Sequence, residues 1–243
     1  MMPPPRRNSG FTLAEVLVAS ILLSIVMTAV YTLFHSAIGS WRAVEQDFDA
    51  HQDARNVFTV LSRDLNNLLT GAGHLFEGED DEVTLFTVNE PMNVEDSEGR
   101  RLLRVRYFHR RSQQELVREE GMVETALPKA PVKDQELDRT RIKVRHKKDF
   151  VLATGVRDFQ VRYVWIPVPL NRNYTQPPDP IEPLMADRHS ERWGLPQGLE
   201  VTLEFEDPDD ASRTLTVKNL LPVRAPTPYY TMTQLKEMMG SAI

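Results

Sequence analysis

A single carboxylate at the start of a long apolar segment is the feature of this 243-residue sequence with the clearest chemical consequence. Glu15 precedes the stretch from Val16 to Phe34, in which no residue carries a charge. The segment from Phe11 to Phe34 is long enough for a membrane-spanning helix, which needs about 20 mostly apolar residues. An acid inside such a helix costs roughly 2.5–3.5 kcal/mol near the bilayer centre, so it usually has a partner and a function. Glu15 is therefore a candidate site residue.

The motifs of common enzyme classes are missing from the sequence. There is no phosphate-binding glycine-rich loop with its lysine, no nucleophilic serine elbow and no His-Glu-x-x-His zinc motif. Cysteine is absent, which excludes disulfides, thiolate metal sites and a cysteine nucleophile. The six histidines are scattered without ligand spacing: His35, His51, His74, His109, His146 and His189. We therefore predict no catalytic residues, no bound metal, no cofactor and no enzymatic activity.

Two clusters of charge suggest alternative functions. The acidic loop at residues 77–82 could attract calcium, but it lacks the ligand order of an EF-hand, and a solvated loop is favoured. Arginines between residues 100 and 111 and the basic run 139–148 could contact nucleic acid. These arginines alternate with apolar residues, which is typical of the solvent face of a sheet. With a net charge of −6, the chain favours no nucleic-acid partner.

The elements around Glu15 follow from hydrophobic periodicity. After the apolar segment, apolar residues recur at steps of three, four or seven with charged residues between them, which is typical of an amphipathic helix. They are Trp41, Val44, Phe48, Val57, Phe58, Leu61, Leu65, Leu68 and Leu69. The glycine-containing stretch 70–73 is expected to end this helix. We predict one long helix, with a transmembrane half at 11–34 and an amphipathic half at 35–70.

Hydroxyl side chains recur every four residues along the apolar segment, at Ser20, Ser24, Thr28, Thr32, Ser36 and Ser40. A ridge of small residues allows two membrane helices to approach closely. Alternatively, each hydroxyl bonds back to its own helix, as serine and threonine often do. We predict a helix-packing ridge whose membrane part consists of Ser20, Ser24, Thr28 and Thr32.

Beyond Gly73 the period of the apolar residues changes to two, which predicts an antiparallel β-rich head over residues 71–243. The predicted strands are 83–88, 103–107, 116–118, 141–145, 150–152, 156–165, 199–205 and 214–217. A turn at residues 207–210 is expected to join the last two as a hairpin. The proline-rich stretch 167–183 is predicted to be a loop.

The C-terminal tail, residues 222–243, contains a predicted short helix. Thr231 and Gln234 have the spacing of a capping box, in which each residue satisfies a backbone N–H of the first turn. The methionines of this segment suggest an adaptable contact surface. Terminal disorder is the alternative.

The N-terminal motif resembles the type IV prepilin family, which includes the pseudopilins of type II secretion. The resemblance rests on Arg6-Arg7, on Gly10-Phe11-Thr12-Leu13, and on Glu15 with the apolar helix behind it; Ala14 departs from the larger aliphatic residue usual in the family. It implies a leader at 1–10, removed between Gly10 and Phe11 by a prepilin peptidase that then methylates the amine of Phe11.

The resemblance also implies a role for Glu15 in assembly. In the family, this glutamate pairs with the terminal amine of a neighbouring subunit. The alternative is that Glu15 lies at the lipid headgroups and favours the helix N-terminus through the macrodipole. The implied fold class is α+β and pilin-like, with the long helix packed on an antiparallel β-rich head.

The order of motifs from the end of the long helix through the head resembles that of the minor pseudopilins J of the type II secretion system. The motifs are residues 63–65, 103–107, 116–118, 155–163 and 193–203. The resemblance implies a tip complex with minor pseudopilins of types I, K and H and the major pseudopilin. That complex primes a pseudopilus that exports folded proteins across the outer membrane.

The expected location is the bacterial inner membrane. Because Arg6 and Arg7 precede the span, we expect a cytoplasmic leader and a periplasmic head. The alternatives are a minor pilin of a type IV pilus, or a membrane-anchored periplasmic enzyme or binding domain. A cleaved secretory signal ending at residues 37–39 would instead leave Ser40 as the first residue.

Overall fold

The computed structural model describes residues 12–69, 75–92, 99–128, 142–167, 182–189, 193–207, 213–224 and 230–239. The chain divides into two compact units, Met1–Phe48 and Asp49–Ile243. Helix α1, Leu13–Asn66, contributes residues to both units. The predicted cleavage site between Gly10 and Phe11 lies outside the described residues.

The first unit contains the apolar part of α1. The stretch Leu13–Trp41 is long and apolar enough to cross a membrane, and no part of it is buried by other described residues. Every described side chain from Thr12 to Trp41 is exposed. The predicted apolar N-terminal helix is therefore confirmed. Its exposed apolar surface is suited to a lipid environment.

The second unit contains two antiparallel sheets, which confirms the predicted α+β class. The first sheet has the order β1-β2-β3-β4-β5, with β1 Glu77–Gly78, β2 Glu82–Asn89, β3 Arg101–Arg110, β4 Glu115–Val123 and β5 Val144–Thr154. The second has the order β7-β6-β8-β9, with β6 Val156–Trp165, β7 Leu184–Ala186, β8 Gly198–Glu206 and β9 Thr214–Pro222.

One hydrophobic core joins the second unit's part of α1 to both sheets. The helix contributes residues at three- and four-residue spacing, and the strands contribute alternate residues, as each period requires. Fully buried members are Ala54, Val57, Leu61 and Leu65 from α1, Leu85, Val105 and Leu116 from the first sheet, and Val161 and Leu203 from the second.

The long helix ends at Asn66, four residues before the predicted end at residue 70. The reason is that the following backbone pairs with β2. The N–H of Leu69 donates to the carbonyl of Phe86, and the N–H of Val88 donates to the carbonyl of Asn67. The expected stop signal at residues 70–73 lies outside the described part of the chain.

Strand β5 combines two segments that the sequence pattern separates. The predicted strands 141–145 and 150–152 are replaced by one strand, Val144–Thr154, and the described residues just before it, 142 and 143, are not in a strand. His146 has a φ of +52°, and the register between β4 and β5 shifts between Glu120 and Met122. This bulge breaks the alternation of side chains that would have revealed a single strand.

Three shorter elements complete the described fold. The two-residue β1 and three-residue β7 were not predicted, because so few residues carry no periodic signal. Helix α2, Met232–Met239, confirms the predicted tail helix. Its first turn has the predicted capping box: the N–H of Gln234 donates to Thr231 Oγ1 at 3.3 Å, and the N–H of Thr231 to Gln234 Oε1 at 2.9 Å.

The prediction of a methionine-rich contact surface on α2 is wrong for Met232 and Met239. Met239 is buried and Met232 packs against the core, because Leu235 anchors this side of the helix there. Residues 168–181 of the proline-rich loop and residues 208–210 of the predicted hairpin turn lie outside the described residues. Strands β8 and β9 nevertheless pair antiparallel, as predicted for that hairpin.

Candidate functional site

Glu15 lies in the first turn of α1 and forms a capping box with Thr12. Glu15 Oε2 accepts hydrogen bonds from the Thr12 N–H at 2.9 Å and from Thr12 Oγ1 at 3.0 Å. In return, the N–H of Glu15 donates to Thr12 Oγ1 at 3.3 Å. The box satisfies backbone donors that the first helical turn would otherwise leave without a partner.

This arrangement uses one oxygen of the Glu15 carboxylate and leaves the other available. Oε1 has no partner among the described residues, and a carboxylate can accept about four hydrogen bonds in all. The local role at the helix N-terminus therefore does not prevent an amine from approaching the same carboxylate. The two functions considered for Glu15 are chemically compatible.

The hydroxyl ridge bonds to the helix itself. Ser20, Ser24 and Thr28 each donate to the carbonyl four residues earlier at 2.8 Å, and Thr32 donates to Ala29 at the same distance. Each donor is satisfied without water, which suits a helix in lipid. The small side chains still form a ridge, so its role in helix packing stays a prediction.

A buried ionic cluster lies in the second unit, centred on Asp64 of α1. The Asp64 carboxylate is fully buried and binds groups from three strands. Its Oδ2 accepts from Tyr107 Oη at 2.6 Å and from Arg118 Nε at 2.8 Å. Its Oδ1 accepts from Asn89 Nδ2 at 2.7 Å. The carboxylate thus ties α1 to β2, β3 and β4.

Arg118 extends this cluster to a second buried acid. Its Nη1 donates to Glu120 Oε2, and the other Glu120 oxygen accepts from the N–H of Met92 at 2.8 Å. Arg118 is fully buried, and its Nη2 has no hydrogen-bond partner among the described residues. A buried guanidinium keeps its charge only where nearby carboxylates offset the loss of hydration.

The cluster fixes the charges of its members. Burial acts to lower the pKa of Arg118, but the charge of Asp64, together with Tyr107 and Glu120, holds that pKa above its ordinary value. Burial, reinforced by the charge of Asp64, raises the pKa of Tyr107 well above its ordinary value. Tyr107 is therefore a neutral donor and Arg118 a permanent cation at physiological pH.

Sequence reasoning did not find this cluster. Asp64, Tyr107 and Arg118 each belong to a different one of the motifs at 63–65, 103–107 and 116–118. The sequence pattern used these motifs only as a resemblance to a family and did not indicate that the three side chains meet. One signal was available. Asp64 lies three residues after Leu61 and seven after Val57, so it falls on the apolar face of the helix, where an unpaired carboxylate would be costly.

The acidic loop at residues 77–82 is held against the second sheet by its backbone. Tyr163 Oη donates to the carbonyl of Glu79 at 3.1 Å, and the N–H of Val161 donates to the carbonyl of Asp80 at 2.7 Å. Gly78 allows this approach, since a Cβ at that position would lie 1.5 Å from Tyr163 Oη. One carboxylate oxygen from each of Glu79, Asp80 and Asp81 lies within 4.8 Å of the other two. Asp81 also forms a salt bridge of 3.0 Å with Arg111.

The arginines of β3 behave as predicted for the solvent face of a sheet. Arg106 binds Glu82 through Nε at 2.6 Å, Arg110 binds Asp149 at 2.6 Å, and Arg104 lies 3.9 Å from Glu119. Val105, Tyr107 and His109 between them are buried, giving an alternation of buried and half-exposed positions along the strand. These three cations are paired with acids of β2, β4 and β5.

His189 predicts a pH dependence of stability. It is packed among aromatic rings, 4.9 Å from Phe76 and 5.9 Å from Trp165, and burial lowers its pKa from 6.5 to about 4. Between pH 6.5 and about 4, His189 is protonated in the unfolded chain but stays neutral in the folded chain. The contribution of His189 to the free energy of unfolding is therefore fully present above about pH 6.5. It falls by up to about 3 kcal/mol as the pH drops toward 4.

Urea unfolding at several pH values, compared between wild type and His189→Gln, measures this effect. The variant should lose the part of the pH slope that His189 contributes between pH 6.5 and 4. His51→Gln, at an exposed histidine of the same unit, should keep the wild-type slope. Equal slopes in wild type and His189→Gln would show that His189 does not cause the dependence.

Comparison with known proteins identifies the N-terminal segment. Residues 5–31 match the family described as the prokaryotic N-terminal methylation motif. No curated protein and no solved structure matches the chain. The matched residues include Glu15, its capping partner Thr12 and the first part of the exposed apolar helix. The motif therefore indicates a type IV pilin-like, membrane-anchored protein, and it implies processing by a prepilin peptidase and assembly with pilin-type proteins.

Proposed function

We propose that this protein is a minor pseudopilin of a type II secretion system, similar to the J type. It would take part in the pseudopilus tip complex, with minor pseudopilins of types I, K and H, and prime the growth of a pseudopilus formed by the major pseudopilin. That pseudopilus drives folded proteins across the outer membrane. The role is structural, without catalysis by the chain itself.

One observation carries this proposal. An uncovered apolar helix with a single acid in its first turn carries the methylation motif and leads into a β-rich unit. Such a helix needs either lipid or other helices around it. A motif for cleavage and methylation suits a subunit that leaves the membrane and packs its helix among those of an assembled fibre. The convergence of Asp64, Tyr107 and Arg118 adds support, because three of the J-like motifs meet in one cluster.

The proposed location is the bacterial inner membrane with a single span. Arg6 and Arg7 before the apolar helix favour a leader that stays in the cytoplasm. The second unit, which starts at Asp49, then lies in the periplasm. Its lack of cysteine is compatible with an oxidising compartment.

The test is the N-terminus of the mature protein. When the chain is expressed with its prepilin peptidase, intact mass spectrometry should find a protein that begins at N-methylated Phe11. Gly10→Val should accumulate as the uncleaved precursor, because a Cβ hinders entry of the backbone into a tight protease site. Asn8→Ala, in the same leader, should be processed normally. A mature protein that begins at Ser40 would instead indicate a secretory signal.

A minor pilin of a type IV pilus is the second candidate, since the methylation motif occurs in both systems. Co-purification separates the two: the full-length chain should form a stable complex with the I-type minor pseudopilin encoded by the same organism. A chain that associates only with pilins of a type IV pilus would contradict the pseudopilin assignment. Genes for a secretin and a secretion ATPase beside this gene would favour the pseudopilin.

A further inference from the structure

A groove in the second unit combines a cationic helix face with the free edge of a sheet. Its volume is about 790 Å³, and we call it the α1–β9 groove. The described residues that line it are His51, Arg55, Phe58, Thr59, Ser62, Arg63, Asn66 and Asn67 from α1 and the segment after it, and Val217, Lys218 and Asn219 from β9. None of these lining residues is acidic, although the chain has 35 acids against 29 lysines and arginines.

The cations of the groove differ in how far they are already neutralised. Lys218 Nζ binds Glu200 at 2.8 Å, and Arg63 lies 3.3 Å from the buried carboxylate of Asp64. The exposed Arg55 has no charged or hydrogen-bonded side-chain partner in the described part of the chain, and the exposed ring of His51 likewise has none and can donate a hydrogen bond. Arg55 therefore retains its full charge for a ligand, and the groove attracts anions.

Strand β9 supplies the second half of the site. It is the last strand of its sheet, paired with β8 on one side and with no described strand on the other. Val217 and Lys218 point to opposite faces of the sheet, so a groove that contacts both runs along the strand edge. A free edge presents backbone N–H and C=O groups that can pair with an added strand.

We propose that the α1–β9 groove binds an extended acidic segment of a partner protein, which adds to β9 as an antiparallel or parallel strand. The backbone of the segment pairs with β9, and its carboxylates face Arg55 and, at the rim, Lys218 and His51. Nucleic acid is less suited to the groove, because Phe58 is buried and, among the described lining residues, only the small ring of His51 is exposed for base stacking. This proposal concerns the second unit and does not depend on the type of fibre.

The test uses the full-length chain in detergent micelles and a fluorescent peptide in which Glu alternates with Val and Thr. Fluorescence anisotropy should show binding that weakens as salt is added. Arg55→Glu should weaken it about tenfold, because it replaces attraction by repulsion. Arg157→Glu changes an exposed arginine of β6 outside the groove and should leave binding unchanged.

Two further peptides test the mode of binding. The same peptide with Lys in place of Glu should not bind. A version with Pro at alternate apolar positions keeps the charge but loses backbone donors, so it should bind much more weakly. Equal binding of the proline peptide would overturn strand addition.

Other results would overturn the choice of partner. If the acidic peptide does not bind, or if Arg55→Glu binds it as well as wild type does, the proposal is wrong. Tighter binding of a single-stranded oligothymidylate than of the peptide would assign the groove to nucleic acid. Self-association of the chain that Arg55→Glu abolishes would assign it to a second copy.

Discussion

Replacing Glu15 by alanine should remove this protein from the assembled fibre while leaving it in the membrane. Under the proposed cleavage after Gly10, the amine of Phe11 becomes a charge at the start of an apolar helix, and the Glu15 carboxylate of a neighbouring subunit is proposed to pair with it. Leaving such a charge unpaired in a hydrophobic environment costs roughly 2.5–3.5 kcal/mol. We therefore expect incorporation to fall on the order of a hundredfold, because each 1.4 kcal/mol changes an equilibrium tenfold. Quantitative immunoblotting of sheared fibres against the membrane fraction measures this ratio.

Three control variants separate the assembly role from other effects. Thr12→Ala breaks the capping box and should weaken the helix end by only about 0.5–2 kcal/mol, with a small effect on incorporation. Glu15→Asp keeps the charge and should retain part of the wild-type level. Glu45→Ala removes an exposed acid beyond the apolar stretch and should have no effect. Equal losses for Thr12→Ala and Glu15→Ala would show that Glu15 acts only as a cap.

Much of the fold could be predicted because apolar residues recur along its longest elements at the period of a helix or of a strand. The predicted strand 156–165 coincides with β6, and the strands at 83–88 and 199–205 match β2 and β8 to within a residue at each end. The division into two sheets could not be predicted, since it depends on which strands meet in space. The break in β5 was also hidden, because a left-handed residue such as His146 leaves no mark on hydrophobic alternation.

The candidate site was predictable only where its partners are close in sequence. Glu15 was identified by its charge in an apolar stretch, whereas its capping partner was overlooked although Thr12-x-x-Glu15 is the spacing of a capping box. The pair of Asp64 and Arg118 joins residues 54 positions apart. A sequence shows that Asp64 lies on an apolar face, but the identity of its partner emerges only from the packing of α1 against β4.

Arg118 is the residue of the second unit whose loss should destabilise the fold most. Arg118→Met leaves Asp64 and Glu120 as buried carboxylates without a cation, and removing one partner of a buried ion pair costs about 3–5 kcal/mol. For a unit of this size, that loss lowers the midpoint of thermal unfolding by roughly 6–20 °C. Circular dichroism of the full-length chain in detergent measures the midpoint, with the second unit followed at a β-sheet wavelength.

Arg106→Met is the matched control, because it removes an arginine from the neighbouring strand β3 whose partner is also an acid. The side chains of Arg106 and Glu82 are 34% and 33% exposed, so water can replace the lost partner and the cost should stay below about 1 kcal/mol. The double variant Asp64→Leu, Arg118→Met removes both charges of the central pair. It should regain part of the stability lost in Arg118→Met, although Glu120 stays unpaired. If Arg118→Met is no less stable than Arg106→Met, the Asp64 cluster does not hold α1 against the first sheet, and the support that this cluster gives to the proposed pseudopilin assignment is lost.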